Sequence, residues 1–378
     1  MSKAPRYPEL YTAALTHPAI DNHAHPLLRS SYRFDLPFEG LISEAEGPAL
    51  TLDAPHTLAC FRATKQLARL FGLGSDASWE DVKRHRDGMD YEELCRLCFG
   101  NSGIEVILID DGLGGVNEMA EEYQWHDRFM KGKTRRIVRV EIEAEVCGMP
   151  CNFIFLVELR FELLDTQKIM KELFDADLES SRLRGAHWDT MGSEIEVFQT
   201  KLRVSLEESA EDPDVVGFKS IVCYRTGLDV HTRHTQLDCF KALEEEFQTY
   251  RLTGTIRLAK KPLNDYVVAL TLEVASEHRK PGEQRKDLWL SLIFDYVNIQ
   301  VQFHTGLGDN DITLALASPA HLQTVIKAYP STTFVLLHSS YPYTREAGYL
   351  TAVYPNVYLD FGEVRGRAQQ IFLELHQG

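Results

Sequence analysis

Apolar and polar residues follow two rhythms along this chain. Short runs rich in Val, Ile, Leu and Phe read as strands near 19–24, "IEVILID" (104–110), "RRIVRVEIE" (135–143), "VVGFKSIVC" (215–223), "NIQVQFH" (298–304), "TFVLLHS" (333–339) and "VYLDF" (357–361). Between them, apolar residues recur at helical spacing near 56–71, 79–99, 117–130, 153–174, 193–210, 236–250, 265–279, 319–328 and 343–353. In "SPAHLQTVIKAYP" Ser318 suits a helix cap, Pro319 a first turn and Pro330 a stop, so 298–339 reads as one β-α-β crossover. "AEDPDV" (210–215) and "EHRKPGEQRKD" (277–287) read as exposed connections too short to be domain linkers. Strand followed by helix, repeated, predicts an α/β fold in a single domain over 1–378: a TIM-type (β/α)8 barrel with an insertion after its first strand. A doubly wound sheet is the rival, but it would carry a glycine-rich phosphate loop after an early strand, and the sequence has none.

Composition agrees with a folded, soluble chain: 44% of the 378 residues are hydrophobic and 25% charged. The formal charge of -16 opposes phosphate, which argues against a nucleic-acid partner. The first residues lack the basic-apolar-small order of a signal peptide, and no uncharged apolar run approaches membrane-spanning length, so a cytoplasmic location without a membrane partner is expected. Seven cysteines in such a chain predict reduced thiols. Cys95, Cys98, Cys147 and Cys151 have zinc-like spacing. However, Tyr91, Leu94, Cys95, Leu97 and Cys98 fall on one helical stripe, and small buried thiols explain the pattern better.

The histidines add chemistry. Side chains alternate along a strand, so His23 and His25 in "AIDNHAHPLL" project to one side, where they would share a metal unless they are two ordinary histidines in a turn. By the same rule Ile299, Val301 and Phe303 face the surrounding helices, while Gln300, Gln302 and His304 face the barrel interior. His338 closes another short apolar strand. Barrels gather such strand ends at one mouth, and neutral imidazole suits zinc and related divalent ions. The other histidines, His126, His231 and His234 among them, lack this context and read as surface or packing residues.

With these residues the chain resembles the amidohydrolase superfamily, which places HxH after strand one, histidines after strands five and six, and an aspartate after strand eight. More closely, "AIDNHAHPLL", "ILIDDGLGG", "GFKSIVCYRTGLD", "QFHTGLGDNDITL" and "FVLLHSSYPYTREAGYLTAVYPNVYLDFGEV" resemble the amidohydrolase-related domain of fungal FluG-type and plant nodulin/glutamine-synthetase-like proteins, from about residue 10 to residue 364. The resemblance implies a barrel hydrolase with His23, His25 and His304 as ligands of a divalent metal, zinc first, and a catalytic His338 beside the water or substrate. Lys219 stands where some members carry a carboxylated lysine bridging two metals, unless it forms a buried salt bridge with Glu141. Arg225 offers a fork that would clamp a substrate carboxylate. Asp309 and Asp311 would either bind a substrate amine or cap the following turn.

The likeness stops after "DFGEV". The remaining "GEVRGRAQQIFLELHQG" has room for one helix, with Ala368, Ile371, Phe372 and Leu375 in register, whereas a βα unit takes roughly 30 residues. An incomplete barrel of about seven strands is therefore expected, truncated relative to the family and lacking the strand-eight aspartate that binds metal and accepts a proton. Asp360 is a candidate replacement. Open edges on the first and last strands would favour a homodimer. The expected function is metal-dependent hydrolysis of a C–N bond in a small-molecule substrate, impaired by the lost aspartate. The alternatives are a non-catalytic developmental or nitrogen-signalling regulator of the FluG kind and a metal-dependent decarboxylase.

Overall fold

The computed structural model describes residues 7–113, 118–145, 192–281 and 296–362. The described residues group into two compact units, those up to 136 with 308–310, and those of 137–307 with the described residues from 311 on. The helix expected at 153–174, Cys147, Cys151 and the tail after residue 362 lie outside the described residues.

The first unit opens with helix α1 (Pro8–Thr16) and strand β1 (Ala19–Ala24). An insertion of 3-10 turns, one π-helical turn (Ala49–Asp53) and three α-helices follows, α2 (Leu58–Leu70), α3 (Trp79–Gly88) and α4 (Tyr91–Gly100), before strand β2 (Ile104–Asp110). The single helix expected over 79–99 is two, because Met89 turns extended and Asp90 begins a new helix by accepting the Glu93 N–H. Ser78 and Asp81 start α3 with reciprocal capping bonds. The insertion closes over Cys60, Ala68, Trp79 and Val82. At its edge the buried Glu39 accepts from Trp79 Nε1 (2.9 Å) and Lys83 Nζ (2.8 Å). Burial pushes its carboxyl upward, but these bonds outweigh burial and hold it below the ordinary value. The helix expected over 117–130 is a run of 3-10 turns at Tyr123–Phe129.

Strand β3 (Arg135–Arg139) leads into the second unit and passes directly into helix α5 (Val140–Glu145), so the strand expected to reach residue 143 stops at 139. Val140, Glu141, Ala144 and Glu145 are all buried, which is the spacing of a helix face rather than the alternation of a strand. Next come α6 (Gly192–Glu211), β4 (Val215–Ser220), the single turn α7 (Val222–Arg225), α8 (Gln236–Thr253) and α9 (Lys261–Glu277). The strand expected to run to 223 ends at 220, where Ile221 leaves extended geometry. A short antiparallel pair, β5 (Arg279–Pro281) with β6 (Tyr296–Asn298), precedes β7 (Gln300–Phe303). A 3-10 turn capped by Ser318 runs into α10 (Gln323–Ala328), followed by β8 (Thr333–Leu336), α11 (Thr344–Val353) and β9 (Val357–Leu359).

Among the described residues the main sheet has seven strands in the hydrogen-bonded order β1-β2-β3-β4-β7-β8-β9, the sequential order of the first seven strands of a (β/α)8 barrel. Parallel pairing sets Lys219 of β4 beside Gln302 of β7, and Gln302 beside Val335 of β8. Both faces of these strands are buried, as parallel strands under helices require. Phe218, Phe303 and Phe334 anchor the apolar face, with the Phe303 and Phe334 rings stacked at 5.8 Å. Among the described residues no helix is long and apolar enough to cross a membrane.

Candidate active site

In the first unit, β1 runs parallel to β2 with register shifts between Ala19 and Ile20 and between Asp21 and Ala24. The second irregularity takes in His23, just before His25; such bulges re-aim side chains at strand ends. His23 and His25 lie edge to face with ring centroids 5.1 Å apart. The Nδ1–H of His25 donates to the Asp110 carbonyl (3.0 Å), which fixes the tautomer that carries the lone pair on Nε2. Asp110 closes β2, is fully buried, and accepts the Gly112 N–H at Oδ1 (3.2 Å). Donor atoms of His23, His25 and Asp110 all lie within 4.8 Å of one another. Two imidazoles and a carboxylate make a donor set for zinc or a similar ion, so the residues present fit the metal that the sequence implies.

The chain leaving His25 is fastened by its neighbours. The Leu27 N–H donates to His126 Nε2 (3.1 Å), and His126 Nδ1–H donates to the Tyr123 carbonyl (3.1 Å). Burial lowers the His126 pKa and keeps the ring neutral, as its acceptor role requires. His126 is thus the packing residue expected of it.

In the second unit, His304 follows β7 and His338 follows β8. His304 donates Nε2–H to the Leu307 carbonyl (2.8 Å), so its Nδ1 lone pair faces His338 Nε2 at 3.1 Å. Tyr224 packs on the same ring at 4.4 Å. Burial, then the charges of His338, Lys219 and Arg139, drive the His304 pKa well below its ordinary value; this imidazole is neutral. His338, Ser339 and Ser340 all adopt left-handed backbone, φ 61°, 51° and 51°. Three such non-glycine residues in a row need outside support. Asp360 gives it, accepting His338 N–H at Oδ2 (3.2 Å) and Ser339 N–H at its carbonyl (2.8 Å). Thr305 Oγ1 donates to the Leu337 carbonyl (2.7 Å) and accepts from Ser340 Oγ (2.7 Å). Gly306 (φ 76°) lies under this turn, where a Cβ would come within 2.3 Å of the Tyr341 oxygen.

Lys219 is buried on β4. Glu141, suggested as its partner, accepts from Ser220 Oγ (2.6 Å) and from the Ile221 N–H (2.9 Å). Arg225 pairs with Glu145 at 2.9 Å, both side chains buried, and Glu145 also accepts the Leu258 N–H. Burial pushes the Glu145 pKa up to about 7 against the pull of Arg225. Asp309 is exposed, and Asp311 pairs with Arg257 at 3.0 Å on the surface. The sequence-predicted residues are thus found as two groups, His23 with His25 in the first unit and His304 with His338 in the second. Asp110 was not singled out by the sequence reading, although "LIDD" closes a strand with a carboxylate as "NIQVQFH" closes one with a histidine.

Comparisons with known proteins bear on the family and the fold. The family model described as Amidohydrolase matches residues 263–375. Protein fluG of Emericella nidulans is 40% identical over 366 residues, an alignment that takes in 92% of this chain and 36% of fluG; the chain spans about a third of that relative's length. A crystal structure from Lactobacillus casei ATCC 334, of a protein provisionally named a metal-dependent hydrolase, superposes with a TM-score of 0.66 at 22% identity, covering 96% of this chain and 79% of that one. This last likeness bears on the fold, which is that of an incomplete TIM-type barrel.

Proposed function

The chain belongs to the amidohydrolase superfamily, close to fluG, and from that premise we propose that it is a metal-dependent hydrolase of a C–N bond in a small molecule. The observation that carries the reading is the His23, His25 and Asp110 group at the ends of β1 and β2. Zinc suits this donor set best. Such an ion supplies Lewis acidity toward a carbonyl and toward water.

Asp110 holds the His25 ring through its carbonyl and so presents Nε2. The neutral His304 and the His338 beside it form a short proton path, because His338 Nε2–H donates to His304 Nδ1 and a proton lost at one ring is replaced from the other. Asp360 acts as the brace of the His338 turn, which is a different task from replacing the strand-eight aspartate. Arg225, tied to Glu145, would reach a substrate carboxylate only on exchanging that partner. A cytoplasmic location and a small-molecule substrate belong to the same proposal.

The likeness to fluG supports a second reading, a regulator that binds a metabolite without turning it over. Metal-loaded protein assayed against a panel of amides, N-acyl amino acids and cyclic amides separates the two. Turnover that is abolished by chelation and by His338→Ala supports the hydrolase. Ligand-induced stabilisation without turnover across the panel supports the regulator and removes the enzymatic reading.

A further inference from the structure

The loop after β4 carries a second histidine pair in "DVHTRH". His231 and His234 stack at 5.9 Å, and with Asp265 of α9 they bring three donor atoms within 4.8 Å of one another. Asp265 is fully buried, one turn into its helix, and its Oδ2 accepts from His234 Nε2 (2.7 Å) and from the His231 N–H (3.1 Å). Asp229 Oδ2 lies 3.4 Å from His231 Nε2 and brings a fourth donor alongside. All of these residues belong to the second unit.

We propose that His231, His234 and Asp265, with Asp229 beside them, form a further binding site for a divalent transition-metal ion of the zinc class, separate from the His23 and His25 pair. Two imidazoles and two carboxylates suit zinc, nickel or cobalt and are a poor set for magnesium or calcium, which prefer oxygen alone. A buried carboxylate needs compensating positive charge, and at present Lys261 provides it, its Nζ 3.0 Å from Asp265 Oδ2. Lys261 is therefore the competitor of the ion. Its side chain is 33% exposed, so its flexible stem can swing the ammonium into water while a dication takes its place. His231 is exposed and can adjust its rotamer, and the ion would enter between His234 Nε2 and Asp265 Oδ2 by opening their 2.7 Å hydrogen bond and displacing the Nε2 proton to solvent. Bound there, the ion would fasten the loop that follows Arg225 to α9.

The site is tested by counting zinc on the full-length chain after dialysis at neutral pH in micromolar zinc, by mass spectrometry of the metal. His231→Ala and, separately, His234→Ala are each expected to lower the content by one equivalent, while a Lys261→Gln variant binds zinc at least several-fold more tightly than wild type. Circular dichroism of the metal-free proteins keeps the comparison to folded chains. Unchanged zinc content in both histidine variants overturns the proposal, as does unchanged or weaker affinity in Lys261→Gln. This outcome is independent of the hydrolase reading, whose metal is lost in His23→Ala/His25→Ala instead.

Discussion

At Gly306 a single hydrogen atom in place of a side chain lets two strand ends meet. Its positive φ and the 2.3 Å approach of the Tyr341 oxygen to a Cβ position together predict that Gly306→Ala loses at least about 2 kcal/mol. Urea midpoints measure this, and a variant as stable as wild type would refute the role given to the close approach. The facing of His304 was legible in the sequence because strand alternation needs only the local pattern, and the burial of Ile299, Val301 and Phe303 with the apolar core agrees with it. The need for glycine at 306 was not legible, since the obstructing atoms belong to residues 340 and 341. Asp110 escaped notice for a related reason: an aspartate ending a strand looks like a turn residue until a histidine ring is seen on its carbonyl.

Among the elements, α5 shows how buried carboxylates disguise a helix. Its inward face includes Glu141 and Glu145, so counting glutamate as polar turns a helical stripe into apparent strand alternation. The two carboxylates fasten neighbouring segments, Glu141 to Ser220 and Ile221, Glu145 to Arg225 and Leu258. For Glu145 burial raises the folded pKa from 4.5 to about 7, so the folded state holds a proton that the unfolded state has released. The associated stability is fully present below about pH 4.5 and is lost as pH rises through about 7. In Glu145→Gln this titration is gone, and the urea midpoint should change less between about pH 5 and pH 8 than it does in wild type. An identical pH dependence in the two proteins would show that Glu145 titrates as an ordinary carboxylate.

Over the whole molecule, the alternation of apolar runs and helical patterns was enough to read the seven strands of the main sheet and their parallel βα order, because the central strands β4, β7 and β8 are largely buried on both faces and most of the described connections hold helices. The grouping of the chain into two compact units was not readable, since the crossing at 136/137 falls inside the run "RRIVRVEIE" and the stretch "GLGDND" around 308–310 is too short to stand out as a linker. Metal binding belongs to this scale through linkage: an ion that binds the folded chain alone adds about 2.7 kcal/mol at a hundredfold excess over its Kd. The melting temperature should therefore fall on chelation and recover when zinc is restored. Magnesium should not substitute in that recovery, given the imidazole donors.

The central claim, that His23 and His25 hold a divalent ion, is tested most directly by the zinc content of the full-length chain compared with that of the folded His23→Ala/His25→Ala variant. The double variant is predicted to carry one zinc equivalent fewer than wild type. Equal zinc content in the two folded proteins would contradict the claim.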